Sequence, residues 1–252
     1  MLALERQQQI VTLLESRGTV RTIDLAEEFQ VTDETIRRDL QLLAVDGQLV
    51  RIHGGASSAN GRPKLHSFSE RRLINIEKKQ AIARSALKLI QPGKTYAFDS
   101  STTVFELVNN LPDLPYRVIT NAYAVIDHLV EREQIELIST GGHYHPKTHT
   151  FIGGDSYRLI RHHNINCAFV SCIGLDLQGA AEGFEEQAFY KETLIQVAEK
   201  SVLLVDSSKL NKRSEYFFAA LEQFSQVITD DEADPESIRA LVSAGCSVTI
   251  AE

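Results

Sequence analysis

The residues with the clearest chemical meaning form the run VTDETIRRDL at positions 31–40. Thr32 is predicted to cap a helix, because its hydroxyl can accept hydrogen bonds from the free N–H groups of the first turn. The apolar residues of the run then form a buried stripe, which leaves Thr35 and Arg38 on the other face. Arginine can hydrogen-bond guanine bidentately or anchor a phosphate. The run therefore predicts a helix that enters the major groove of duplex DNA.

The segments before and after this run predict how the helix is presented to DNA. Residues 22–29 predict a shorter helix, and the turn Gln30-Val31 joins the two helices as a helix-turn-helix requires. Residues 48–53 alternate and predict a short hairpin that ends at Gly54-Gly55 and forms a wing. The predicted DNA contacts are Thr22, Thr32, Thr35, Arg37, Arg38, Arg51 and His53. In the alternative interpretation, the paired arginines only solvate a helix, with Arg38 bound to an acidic neighbour.

A second group of candidate binding residues follows a predicted strand, in the run Asp99-Ser100-Ser101-Thr102-Thr103. Hydroxyls and free backbone N–H groups at the start of a helix favour an anion, because the donors and the helix dipole act together. The run therefore predicts a phosphate site. The competing interpretation is ordinary capping, since Ser and Thr are common at helix starts without any ligand.

Polar or small residues also follow other predicted strands. Parallel sheets bind ligands beyond the carboxyl ends of their strands, so these residues are expected to converge. Lys209 would supply a positive charge for a phosphate, although alone it is more typical of a solvated loop lysine, and Asp99 or Asp206 would accept from sugar hydroxyls. The further predicted effector-binding residues are Thr120, Asn121, Gly141, Gly142, Gly174, Lys191, Asp206 and Lys209.

Three histidines, His143, His145 and His149, fall within seven residues. This spacing could provide ligands for zinc or nickel. Pro146 and the preceding Gly141-Gly142 indicate a loop, however, and no nearby cysteine or carboxylate completes a ligand set. We therefore expect neither a metal nor a cofactor, and the histidine loop is predicted to border the effector pocket.

The periodicity of the chain predicts two domains. Residues 1–56 have apolar side chains at helical spacing followed by a short alternation, which predicts an α+β winged helix-turn-helix, and residues 57–69 are typical of a linker. Residues 70–252 alternate short apolar strands with amphipathic helices, which predicts an α/β domain with a mostly parallel sheet. Strands are expected at 95–99, 117–120, 135–139, 167–174, 202–206, 226–229 and 247–250, and helices at 76–90, 102–110, 122–131, 187–200 and 235–244.

Composition excludes several classes of protein. The 252 residues are 43% hydrophobic and contain no apolar run longer than a strand, so no membrane span is expected. The chain opens without the pattern of a secretory signal, and its three cysteines lie among apolar residues, which favours free thiols in the cytoplasm. The net charge of −8 does not by itself indicate a nucleic-acid partner, so the prediction of DNA binding rests on the helix-turn-helix motif.

Two blocks, TIRRDL at 35–40 and HGGA at 53–56, occur with Arg6, Ile10 and Leu14 at a characteristic spacing. They resemble the helix-turn-helix of the DeoR family of transcriptional regulators, and the resemblance extends over nearly the whole chain. It implies a C-terminal domain that has the sugar-phosphate isomerase fold and binds phosphorylated sugars or related metabolites. Many members have glycine where this chain has Ser101, and the DSST variant at 99–102 is similar to regulators of the L-fucose operon type.

Two function classes are compatible with these motifs. A sugar-phosphate isomerase would need a carboxylate base, for which Glu182, Glu185 and Glu186 are candidates without an identifiable paired acid. A regulator would use a metabolite to change the affinity of its DNA-binding heads. We favour the regulator, with no catalytic residues: a repressor of a carbohydrate-catabolism operon, bound to double-stranded operator DNA and modulated by a phosphorylated sugar. A homodimer or homotetramer is expected, because paired heads read two half-sites.

Overall fold

The computed structural model describes residues 3–52, 54–58 and 67–251. The chain forms two compact units, Met1–His66 and Ser67–Glu252. Within the described ranges, no helix is both long enough and apolar enough to cross a membrane.

The first unit packs helices against a small antiparallel sheet. Ile10, Leu25, Ile36 and Leu40 are buried in one core between these elements. The strand order is β1-β3-β2, and Gly54, with a φ of 78°, lies between β2 and β3. The unit is a winged helix-turn-helix, as predicted. Its elements are α1 (Ala3–Arg17), β1 (Thr19–Arg21), α2 (Thr22–Phe29), α3 (Asp33–Val45), β2 (Leu49–Ile52) and β3 (Gly55–Ser58).

The turn between α2 and α3 is closed by backbone hydrogen bonds. Gln30 adopts a left-handed conformation with a φ of 53°, and the Val31 N–H donates to the Ala26 carbonyl at 3.0 Å. Val31 and Ile36 pack into the same core on either side of the Thr32 cap, which is the arrangement of a hydrophobic staple. These contacts set the position at which α3 begins.

The second unit is built on a parallel sheet. Its helices are α4 (Phe68–Leu73), α5 (Ile76–Leu87), α6 (Thr102–Asn109), α7 (Tyr123–Leu129), α8 (Gly154–Arg161), α9 (Glu185–Val197) and α10 (Pro235–Ser243). Its strands are β4 (Thr95–Phe98), β5 (Tyr116–Thr120), β6 (Ile135–Ser139), β7 (His143–His145), β8 (Thr150–Ile152), β9 (Cys167–Val170), β10 (Gly174–Asp176), β11 (Gly179–Glu182), β12 (Ser201–Leu204), β13 (Tyr216–Ala219), β14 (Gln226–Asp230) and β15 (Val248–Ala251).

Seven of the described strands form one sheet in the order β15-β14-β12-β9-β4-β5-β6, and every neighbouring pair is parallel. Alternate residues of a strand belong to different cores: Phe98 and Phe169 lie in one, and Ala97 and Ala168 lie in the other. Both faces of the sheet are therefore covered, which confirms the predicted fold class.

The strand predicted at 167–174 is wrong in its second half. β9 ends at Val170, and β10 belongs to a separate antiparallel sheet with the order β10-β11-β13. Between them, the Ser171 N–H donates to the Asp99 carboxylate at 2.9 Å. The chain therefore leaves the parallel sheet at a residue whose backbone N–H is bound by a side chain from the end of the neighbouring strand.

Candidate DNA-binding and effector sites

The N-terminus of α3 has the predicted cap. Thr32 is extended, with φ −76° and ψ 153°, and its hydroxyl accepts from the Thr35 N–H at 3.3 Å. The two threonine hydroxyls also lie 2.9 Å apart. Both threonines therefore hold the first turn of the helix, and Thr32 stays exposed beside it.

Arg37 and Arg38 are exposed on α3, and no hydrogen bond or ion pair reaches either guanidinium from the described residues. Asp39, the acidic residue beside them, is buried and is bound by Arg6 at 2.6 Å and by the Gln7 amide at 2.9 Å. Asp39 thus joins α1 to α3, and within the described ranges the two arginines are left without an acidic partner, which argues against the alternative that Arg38 is paired with an acidic neighbour.

The remaining predicted DNA contacts have different surroundings. Thr22 is only 4% exposed, and its N–H donates to the Gly54 carbonyl at 2.9 Å, so it supports the wing from within the unit. Arg51 is half-buried in β2, where its Nη1 atom is buried without a hydrogen-bond partner among the described residues. His53 lies outside the described residues.

In the second unit, Asp99 is the centre of the carboxyl edge of the parallel sheet. It is fully buried after β4 and accepts from the backbone N–H groups of Ser101 and Ser171, each at 2.9 Å. The Lys191 ammonium lies 3.1 Å from the Oδ2 atom of Asp99, the same oxygen that accepts from Ser171. Asp99 therefore ties together β4, β9 and α9 at the place where a ligand of a parallel sheet is expected.

Lys191 is fully engaged with protein groups. Its ammonium binds Asp99, Glu182 and the Ser171 carbonyl, the last at 2.6 Å. Burial lowers the pKa of Lys191, but the two carboxylates raise it by more, so the lysine remains charged. It holds the edge in position, and its donors are already used. Glu182 is likewise occupied, which removes it as a free base.

The run 99–103 supplies both structural and free groups. Ser101 caps α6 by accepting from the Val104 N–H at 3.2 Å, and Ser100 donates to Gln187 at 2.9 Å. The hydroxyl of Thr102 lies 3.5 Å from the Arg71 carbonyl. The Oγ1 atom of Thr103 is buried and, among the described residues, without a partner.

The predicted residues after β5 and β6 also include both groups with a structural role and a group without a partner. The Thr120 hydroxyl donates to the Phe98 carbonyl at 2.8 Å, whereas the Oδ1 atom of Asn121 is buried with no described partner. Gly141 has a φ of 64° in the turn after β6. A Cβ atom at Gly142 or Gly174 would collide with a backbone carbonyl, so these two glycines serve packing.

Asp206 and Lys209 lie at the end of β12. Asp206 accepts from the Asn75 amide at 3.1 Å and from the Ser208 N–H at 3.2 Å. Burial raises the pKa of Asp206, but Lys209, the Ser208 hydroxyl and the Asn75 amide together lower it by more. The Lys209 ammonium lies 3.6 Å from Asp206 and 3.4 Å from the Ser171 hydroxyl. These long contacts leave it able to bind a further acceptor.

The structure adds residues that the sequence analysis missed. The backbone carbonyl of Arg71 on α4, the ammonium of Lys79 on α5 and the hydroxyl of Ser171 after β9 all reach this edge. One signal was available for Lys79, because it shares the buried stripe of α5 with Ile82 and Ala86 and a lysine there is unusual. Arg71 lies in α4, a short helix that the sequence analysis did not predict, and it carried no such signal.

The histidine loop is a hairpin of β7 and β8. His145 lies 2.8 Å from the Thr148 hydroxyl, and His149 lies 3.2 Å from the Tyr144 hydroxyl. Among the residues that the structure describes, no group of three or more His, Cys, Asp or Glu side chains is placed to hold a metal.

Comparison with known proteins assigns both units. A DeoR-like helix-turn-helix domain matches residues 6–62, and a DeoR C terminal sensor domain matches residues 74–231. An uncharacterized HTH-type transcriptional regulator, YulB of Bacillus subtilis (strain 168), is 38% identical over 99% of this chain and 97% of its own. The L-fucose operon activator of Escherichia coli (strain K12) is 34% identical over 90% of this chain and 94% of its own length. The lactose phosphotransferase system repressor of Staphylococcus epidermidis is 31% identical over 90% of this chain and 92% of its own length.

Proposed function

The chain belongs to the DeoR family of transcriptional regulators, and on that premise we propose that it represses a carbohydrate-catabolism operon until a phosphorylated sugar binds its second unit. In this proposal α3 and the wing contact operator DNA through Thr32, Thr35, Arg37, Arg38 and Arg51. The effector binds at the carboxyl edge of the parallel sheet. A homodimer or homotetramer presents paired heads to two half-sites.

The proposed position of the effector site rests on one observation. In the described part of the chain, polar atoms at the sheet edge are buried without hydrogen-bond partners. The Asn121 Oδ1 and Thr103 Oγ1 atoms are both in this state. Buried polar groups in native proteins are almost always hydrogen-bonded, so these two orphaned atoms support a ligand. The names of the relatives, which concern fucose and lactose systems, support a carbohydrate as that ligand.

Thermal-shift measurements against a panel of phosphorylated sugars test the proposal. One of them is expected to raise the melting temperature saturably and to release the protein from its operator in gel-shift titrations. The unphosphorylated sugars serve as controls and are expected to do neither. Conversion of a sugar phosphate to product, or the absence of stabilisation by every member of the panel, would refute the proposal.

Replacing Lys209 with alanine is expected to leave operator binding intact and to weaken the binding of the effector. A charge-assisted hydrogen bond contributes about 1.5–3 kcal/mol, so effector affinity should fall roughly 10- to 100-fold. Lys212→Ala is the matched control, because this exposed lysine lies only three residues away. A gel-shift titration in which Lys209→Ala responds like the wild type would remove Lys209 from the site.

A further inference from the structure

The exposed side of α3 carries a ridge of three side chains, Glu34, Arg38 and Leu42. They are four residues apart, and side chains at this spacing lie one above the other along a helix. All three are exposed, whereas Ile36 and Leu40 of the same helix are buried in the core of the first unit. The ridge therefore faces away from the core, and each successive turn adds one member to it.

The two charged members of the ridge are not neutralised within the first unit. Among the residues that the structure describes, no hydrogen bond or ion pair reaches the Glu34 carboxylate or the Arg38 guanidinium, although they lie one turn apart. Asp33 and Glu34 both lie in the first turn of α3, where a negative charge favours the helix. That role requires a charge near the helix end but no particular face, so the position of Glu34 on the ridge calls for another explanation.

Leu42 is the apolar member of the ridge. It is 49% exposed, whereas Leu40 and Leu43 beside it are 0% and 4% exposed. A single exposed leucine is ordinary on a protein surface, but this one continues the line of Glu34 and Arg38. The ridge thus presents an acceptor, a set of donors and an apolar group in succession.

The major groove of DNA offers a partner for each of these three chemistries. Cytosine presents an amino donor to a carboxylate, guanine presents two acceptors to an arginine, and thymine presents a methyl group to an apolar side chain. Four residues of a helix rise about 6 Å, which exceeds the spacing of about 3.4 Å between base pairs. Neighbouring members of the ridge therefore meet different base pairs when the helix lies in the groove.

The charge of the first unit makes an acidic side chain in the groove informative. Residues 1–56 contain nine acidic side chains against six arginines and no lysine, so their general attraction to phosphate is weak. A carboxylate in the groove is repelled by phosphates and by the acceptor atoms of guanine and thymine. Only a base that donates a hydrogen bond offsets this repulsion, so such a carboxylate discriminates by rejecting the wrong bases.

We propose that Glu34 and Leu42 determine the operator sequence on either side of the Arg38 contact. Glu34 accepts a hydrogen bond from the amino group of a cytosine, and Leu42 contacts the methyl group of a thymine. This inference rests on the proposed function, with α3 in the major groove, and adds two specificity-determining residues to the contacts given there. It assigns the ridge to duplex DNA, because its middle member is the exposed, unpaired arginine of the proposed recognition helix.

Selection from a pool of duplexes with a randomised central segment tests Glu34 in the full chain. The wild type is expected to select cytosine at one position of each half-site. Glu34→Gln should lose that preference by about fivefold or more and select adenine there, because glutamine pairs with the adenine edge. Asp33→Asn is the matched control: it removes the same charge from the same turn but lies about 100° away around the helix, so cytosine should still be selected.

Binding to a duplex of unrelated sequence separates base recognition from simple repulsion. Glu34→Gln and Asp33→Asn each remove a negative charge close to the phosphates, so both should bind this duplex at least as tightly as the wild type. Only Glu34→Gln should select a different sequence. Identical selected sequences from all three proteins, or an equal loss of cytosine in both variants, would overturn the role of Glu34.

Replacing single thymines of the selected duplex by uracil tests Leu42, because uracil lacks only the methyl group. One such replacement should weaken binding of the wild type about fourfold, the value of one buried methyl group, and leave Leu42→Ala unaffected. Glu34→Gln is the cross-control and should keep the full uracil effect on its own selected duplex. Equal uracil effects in the wild type and Leu42→Ala overturn the role of Leu42, and an altered oligomeric state of Leu42→Ala would then place this residue between copies of the chain.

The outcomes also distinguish this inference from the proposed function. If Arg38→Ala loses the selected sequence while Glu34→Gln and Leu42→Ala retain it, the inference fails and the proposed function stands. If the wild type enriches no sequence from the pool, the proposed operator binding fails as well.

Discussion

Arg38→Ala is expected to abolish operator binding at concentrations where the wild type is saturated. The guanidinium is exposed on α3 and has no partner among the described residues, so it is available to a base or a phosphate. A bidentate contact to guanine is worth about 1–3 kcal/mol, which is roughly a 5- to 150-fold loss for each head. Because the proposed oligomer uses at least two heads, these losses multiply in the whole complex.

Gel-shift and fluorescence-anisotropy titrations at several salt concentrations measure this effect. Arg37→Ala, examined in parallel, shows which arginine contacts phosphate, since loss of a phosphate contact reduces the salt slope by about one. Arg158→Ala is the control, because it removes one exposed arginine from the second unit and leaves α3 unchanged. Unchanged operator affinity in both α3 variants would refute α3 as the recognition helix.

Neither α3 substitution should disturb the fold. Exposed, unpaired side chains usually contribute less than about 0.5 kcal/mol to stability, so the melting temperature should stay close to that of the wild type. Stabilisation by the effector should also persist, because the arginines belong to the first unit and the proposed pocket to the second.

Lys191→Met is expected to be the most destabilising single substitution of this set. It leaves the carboxylates of Asp99 and Glu182 buried without their shared cation. Breaking a buried ion pair by removing one partner typically costs about 3–5 kcal/mol. For a chain of this size the melting temperature should fall by roughly 6–20 °C.

Circular dichroism melts test this expectation against two controls. Lys200→Met removes an exposed lysine of the same unit and should change the melting temperature little. The double variant Lys191→Met/Glu182→Gln should recover part of the loss, because it removes one of the two unpaired charges. If Lys191→Met melted like the wild type and lost only effector affinity, Lys191 would be a ligand contact and not the organiser of the sheet edge.

The DNA-binding unit could be predicted because its determinants are local. A capping threonine, apolar residues at helical spacing and a short turn all act within a few residues of one another, so the run 31–40 indicates α3 directly. The strands of the parallel sheet are similarly visible, because each is a short apolar run buried on both faces. The helices α4 and α8 were missed, since they are short and lie in stretches rich in polar residues.

The candidate effector site was predicted only in part, for a different physical reason. Strand ends such as Asp99 and Asp206 can be located from the sequence, because a parallel sheet gathers its carboxyl ends at one edge. Which of their neighbours are structural and which are free depends on where distant charges meet. Lys191 and Lys209 are both lysines in plausible positions, yet the first is enclosed by two carboxylates and the second has only long contacts.

The sequence by itself thus determined the two-part architecture, the recognition helix and the edge of the sheet where a ligand is expected. Only the tertiary structure decided the charge pairing at that edge, including the enclosure of Lys191 by two carboxylates and the hydrogen bond from the Lys79 ammonium on α5 to the Arg71 carbonyl. The reason is that a buried charge must find a partner in space. Those partners come from segments far apart in the chain, and no local pattern of residues records them.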